Sequence, residues 1–334
     1  MSDLLSTVRD RLSSSWHTAR DRLAGAMPES SGIDARTISI IVGVLFVLFV
    51  VYYPMGMILN NSVEDDLGLA PATQLDIPGG SKAVAMAMTI VARDTDHWLP
   101  NAPFWHPAAA LDNAPNFQLG TIYAVSRFVL EVGDYLGRVR GSSAIDPNLD
   151  KAVGLLKYNG RTWYWGQGNI IPKPKAESQY REAVEYLELY NRDVAAGKST
   201  YDKRADSLIA FLDRVAADLG SASAELDARA QEGGGYLDFK ADDVFFNAKG
   251  KLYGYYLILS ALGQDFEVII KEKQAGESWA AMLTSLRTGA GMDPLIVVNG
   301  DPDSMTMPSH LRAIGFPLLR ARIQMRELAD ILQK

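Results

Sequence analysis

Between Asp94 and Gly120 the chain gathers Asp94, Asp96, His97 and His106, residue types that bind zinc or manganese. The separation of His97 from His106 matches no firm metal signature, and both aspartates fall near a helix end. His97 serves equally well as a favourable charge on the last turn of that helix. The more economical reading is architectural: Asn101, Asn113 and Asn116 hydrogen-bond loop backbone, while Trp98, Phe104, Trp105 and Phe117 plug the loop into a helical core. A second set is Trp163, Tyr164 and Trp165, followed by Gly166, Gln167, Gly168 and Asn169. Aromatic faces stack on sugar rings and amides bond their hydroxyls, so a glycan or peptidoglycan groove is one reading. Adjacent aromatics on regular backbone cannot all face one way, which favours core packing or a protein contact. Glu131 with Asp134, and Glu182 with Glu185, share helix faces as paired carboxyls, but glycoside hydrolysis needs distinct environments across a cleft. Serine nucleophile elbows, phosphate loops and zinc-protease helices are missing. The sequence therefore predicts no catalytic residue, no metal site and no cofactor.

What positions these residues begins with the run Ile38 to Leu59, 22 residues without a charge, of which 14 are Ile, Leu, Val or Phe. At ~1.5 Å per residue it reaches roughly 33 Å, enough for a ~30 Å hydrocarbon core. Arg20, Arg22 and Arg36 precede the run, whereas no Lys or Arg follows it until Lys82, and Glu64, Asp65 and Asp66 stand close behind it. Cytoplasmic flanks retain Lys and Arg, so residues 1–37 are expected inside and residues 60–334 exported. A cleaved signal peptide fits less well, because the preceding region is long and the apolar run exceeds the usual ~7–15 residues. The reading is a single-pass signal anchor in a bacterial inner membrane, with a periplasmic C-terminal domain.

Composition bounds that domain. With no cysteine anywhere, disulfides, thiolate metal sites and cysteine catalysis are excluded, and the absence suits a bacterial envelope protein. Residues 1–37 hold as many Arg as acids, so the formal charge of −7 belongs to the exported part. Such a balance argues against nucleic acid and against a polybasic lipid-binding surface.

Apolar spacing predicts helices almost throughout. Leu5, Val8, Leu12, Trp16, Ala19 and Leu23 give the tail 1–37 one amphipathic stripe. Residues 60–80, with Pro71, Pro78, Gly79 and Gly80, read as a linker. Helical patterns follow over Ser81 to His97 and Leu119 to Arg140, where Ser126 and Gly133 admit a close neighbour. Trp98 to Phe117 reads as an ordered loop. The stripe Tyr180, Val184, Leu187, Val194 and the stripe Leu208 to Leu226 are joined by AAGKST, which predicts a helical hairpin. A further helix is expected from Asp242 to Lys273, and a last one through Leu311 to Leu332 kinked at Pro317. Pro294–Val298 is the best strand candidate, with a buried loop as its equal. The fold class is all-α: a transmembrane helix, then a helical bundle over 81–334.

From the span onward the chain resembles a bacterial family of single-pass inner-membrane proteins known as a domain of unknown function. The likeness is carried by YYPMGM (Tyr52–Met57), WLPNAPFWHP (Trp98–Pro107), LDNAPNFQLG (Leu111–Gly120), AESQYREAVEYL (Ala176–Leu187), YNRDVAAG (Tyr190–Gly197) and RADSLIAFLDRVAADLGS (Arg204–Ser221). It implies an anchored, exported, helical protein and supplies no catalytic residues; TWYWGQGN (Thr162–Asn169) departs from the family pattern. The expected function is a non-enzymatic envelope scaffold that holds or organises another membrane or envelope protein. The alternative is a protein that binds or hydrolyses cell wall, and a receptor-like role would need a bundle pocket and a cytoplasmic partner.

Overall fold

Side chains of the segment Ala35–Asn60 have nowhere to hide, and the computed structural model leaves all of them outside any core. The structure describes residues 34–60, 62–137, 145–165, 171–233, 238–301, 304 and 307–334; the stripe expected in residues 1–33 lies outside them. Helix α1 (Ala35–Asn60) has a mean hydropathy of 2.5 over its most apolar window and is long and apolar enough to cross a membrane. Asp34 Oδ1 accepts the Thr37 amide at 2.7 Å and so satisfies one of the open donors at its start. The helix runs on through Pro54. Residues 1–56 and 57–334 form separate compact units, and each is described by itself.

The second unit contains α2 (Lys82–Asp96), α3 (Asn113–Glu131), α4 (Pro147–Leu156), α5 (Ala176–Ala195), α6 (Ala205–Glu232), α7 (Phe239–Asp265), α8 (Glu267–Glu272), α9 (Gly276–Ala290) and α10 (His310–Gln333). Among the described residues there is no strand, only an isolated antiparallel bridge between Asn299 and Ser309. The protein is all-α. Its centre is α7, which packs against α2, α3, α6, α9 and α10. Phe245, Phe246, Leu252, Tyr253, Leu257, Ile258 and Ala261 are buried around its circumference, so its apolar residues form no single stripe.

Helices α3 and α7 run parallel, backbone close to backbone. A Cβ on Gly120 would fall on the Asn247 carbonyl, and one on Gly250 on the Phe117 carbonyl. A Cβ on Gly254 would lie 2.8 Å from that of Ala124. Register increasing together along both helices sets their N-termini side by side. At Gly133, where spacing predicts the close neighbour, an added Cβ would meet Val153 at an ordinary 3.5 Å.

Several expectations change. Helix α3 begins at Asn113, inside the stretch read as loop, because Asn113–Phe117 gain a partner surface in α7 that local sequence does not reveal. The helix expected to reach Lys273 breaks at Phe266 into α7 and α8. Helices α5 and α6 are consecutive but do not pair: α5 packs on α2 and α4, α6 on α10 and α7. The apolar stripes are real, and their partners are distant in sequence. Residues read as a linker are pinned to the bundle. Lys249, fully buried in α7, meets Asp65 at 2.6 Å, Tyr253 donates to the Asp66 carbonyl at 3.0 Å, and Leu75 enters the core. Pro294–Val298 forms no strand; Val297 and Val298 are buried while Leu295 and Ile296 are exposed.

Candidate functional site

Trp98 and Phe117 are the plugs of the loop between α2 and α3. The Trp98 indole donates to the Gly160 carbonyl at 2.9 Å and packs edge-on to Tyr180, 5.3 Å between centroids. Phe117 is buried against Tyr253. Phe104 and Trp105 behave otherwise. They are 81 % and 50 % exposed, which corrects the expectation that they plug the core. The physical reason is that Pro103 and Pro107 confine them to a turn at the surface, where the Pro103 carbonyl accepts the His106 amide at 2.8 Å.

These exposed rings have company. Trp105 lies edge-to-face on Phe104 at 4.9 Å and on Trp163 at 5.3 Å, and Trp163 contacts Tyr164 at 5.8 Å. Tyr164 and Trp165 are exposed as well, and Lys175 Nζ sits 4.8 Å from the Tyr164 ring centre. The two aromatic stretches of the sequence thus form one protruding knob. Asn101 joins the loops beneath it: its amide donates to the Thr162 carbonyl at 2.9 Å and to Glu177 Oε2 at 2.6 Å. The Thr162 carbonyl also accepts from Ala176 N, and Tyr164 O accepts from Lys173 N. Gly166, Gln167, Gly168 and Asn169 lie outside the described residues.

A polar cluster that sequence reasoning missed stands over the paired N-termini of α3 and α7. Asp112 precedes α3, Asp242 lies in the first turn of α7 with Asp243 next to it, and both helix ends favour negative charge. Asn113, with its amide turned to satisfy its neighbours, donates to Asp242 at 2.8 Å and to Asp112 at 3.3 Å. Asn116 donates to the Asp112 carbonyl and to Asp243, and its own oxygen accepts from Arg161 at 2.9 Å. Burial, then the Asp112 and Asp243 charges, push the Asp242 carboxyl up to about 7. Asp243 is raised for the same reasons and relieved by Arg161. Nothing in local sequence signals this set, because only the parallel register of α3 and α7 assembles it.

The histidines separate. His106 Nδ1 accepts the Ala108 amide at 3.2 Å and caps the short 3-10 turn Pro107–Ala110. His97 lines a different cavity, beside Asp94, and Asp96 faces solvent. Among the described residues no three His, Asp or Glu stand close enough to hold a metal ion. Glu131 is buried against Arg214 at 3.0 Å while Asp134 is exposed, and Glu182 and Glu185 both face solvent, so neither pair flanks a cleft. Asp218, also outside the sequence reading, accepts from Tyr123, Arg127 and the buried Tyr255, tying α6 to α3 and α7.

The bacterial family described as "Uncharacterized protein conserved in bacteria (DUF2333)" matches residues 37–234 and 237–334. The chain belongs to this family. No curated protein and no solved structure matches it. The DUF2333 match takes in nearly all of α1, both loops of the aromatic knob and the acidic cluster, so each of these lies inside the family's own extent.

Proposed function

We propose that this DUF2333 protein is a non-enzymatic scaffold of the bacterial cell envelope, which holds a protein partner through the aromatic knob of its helical domain. The observation that carries the reading is the meeting of Trp105 and Trp163, from loops far apart in sequence, as an exposed cluster with Phe104 and Tyr164. Soluble domains bury such rings, and those left outside are the residue types that anchor protein interfaces. The edge-to-face arrangement presents corners and edges rather than the flat platform on which a sugar ring stacks, and the nearby Asn101 amide already bonds Thr162 and Glu177. These points favour a protein over a glycan.

Location belongs to the same proposal. Helix α1 is a single-pass signal anchor in the inner membrane; residues 1–37 face the cytoplasm and the bundle faces the periplasm. Arginines before the helix and acids after it support this orientation. A photoreactive phenylalanine analogue at Phe104, in the full-length protein in living cells, tests the knob. The expected result is one discrete protein adduct at Phe104 and none at the exposed Leu189 on α5, with Trp105→Ala reducing the yield about tenfold. Absence of an adduct, or an adduct that only muramidase releases, would overturn the reading.

A further inference from the structure

The connection from α4 to α5, residues 157–175, carries Lys157, Arg161, Lys173 and Lys175 and not one acid, in a chain whose formal charge is −7. It is also the connection that bears Trp163, Tyr164 and Trp165. Two of its cations are committed: Arg161 donates to Asn116 at 2.9 Å, and Lys175 lies 3.5 Å from Glu177. Lys157 and Lys173 are exposed, and among the described residues neither meets a carboxylate. Helix ends explain only one of them. Lys157 closes α4, where a cation is favourable, but Lys173 stands just ahead of α5, at the end where a cation is unfavourable.

The same connection walls a groove. A cavity of about 360 Å³ is lined by Leu119, Ile122 and Leu130 of α3 and by Lys157, Tyr158 and Gly160 of the connection. Gly160 joins it to the knob: its carbonyl takes the Trp98 indole, a Cβ on it would strike Leu119, and Trp163 follows shortly along the chain. Arg127 also lines the groove but is held by Asp218 at 3.0 Å, which leaves Lys157 as the uncommitted cation there.

We propose that the partner is acidic, and that it lays a segment of carboxylates interleaved with apolar side chains across the knob and into this groove. This chemistry of the partner rests on the knob's reading as a protein-binding surface. Carboxylates meet Lys157 and Lys173, while apolar side chains cover Leu119, Ile122 and Leu130. An anionic membrane would meet the same cations, but a lipid surface has no side chain to seat in a recessed groove beside protruding rings.

The test keeps the photoreactive phenylalanine analogue at Phe104, in the full-length protein in living cells, and changes the charge. Lys157→Glu with Lys173→Glu should lower the adduct yield at least about tenfold, because like charges then face each other. Lys157→Gln with Lys173→Gln should lower it severalfold, and this neutral pair decides the matter if the reversed pair fails to fold. Mass spectrometry of the adduct should find a partner peptide rich in Asp and Glu, and reversing those acids to Lys should restore the yield with the reversed pair. A wild-type adduct that neither pair weakens, or a partner peptide without an acidic excess, overturns the acidic partner and leaves the knob's protein-binding role standing. No wild-type adduct removes both. A phospholipid adduct at Phe104, or at an analogue placed at the exposed Ile171, assigns the cations to the membrane and overturns the proposal.

Discussion

Asp242 sits where three carboxylates converge, and the pH dependence of folding should report it. Its carboxyl is raised to about 7, against about 3.9 in an unfolded chain. The folded protein therefore holds a proton that the unfolded chain has lost between about pH 4 and 7. Stability from this group falls as pH rises through that window and stays reduced above it. Asp94 works in the same direction, raised to about 6 by burial despite relief from Arg93. Replacing Asp242 by Asn should stabilise the protein by about 1–2 kcal/mol at pH 8, after allowing for solvent screening, and by nearly nothing at pH 4. Urea unfolding at both pH values measures this. An equal gain at both would mean packing, not charge, is responsible. The residue types were visible in the sequence, but Asp112 and Asp242 lie far apart along it, and their proximity was not.

Helix pairing is governed by what two surfaces can approach. Along α3 and α7 the glycines let backbone meet backbone, so Gly250→Ala should cost about 1–3 kcal/mol or more through overpacking against the Phe117 carbonyl. Gly154 on α4 has open space where a Cβ would stand. Gly154→Ala should therefore stabilise by about 0.5–1 kcal/mol through helix propensity alone. Thermal unfolding of the two variants separates the effects, and a shift of the same sign in both would refute the close approach. Helices themselves were legible, since the 3.6-residue period announced α2, α5, α6 and α10 within a few residues. Their partners were not. The AAGKST turn between α5 and α6 looks like a hairpin loop, yet each helix buries its stripe against other elements.

For the molecule as a whole, the charge asymmetry around α1 makes a prediction that is independent of the bundle's details. Alkaline phosphatase fused after Lys334 should be active in cells, because it folds only outside the cytosol, and a green fluorescent protein at the same place should stay dark. The reverse pattern would place the bundle in the cytoplasm and remove the envelope role with it. Lys249, Asp65 and Tyr253 show that residues just beyond α1 are part of the bundle's fold and not a free tether.

Composition and period were enough for the all-α class, the apolar helix α1 and most helix positions, because charge-free length and 3.6-residue spacing are properties of contiguous residues. Tertiary structure alone decided which stripes meet, that Phe104 and Trp105 face outward beside Trp163, and that Asp112 and Asp243 stand beside Asp242. Those outcomes depend on contacts between segments far apart along the chain, and a local pattern carries no record of them.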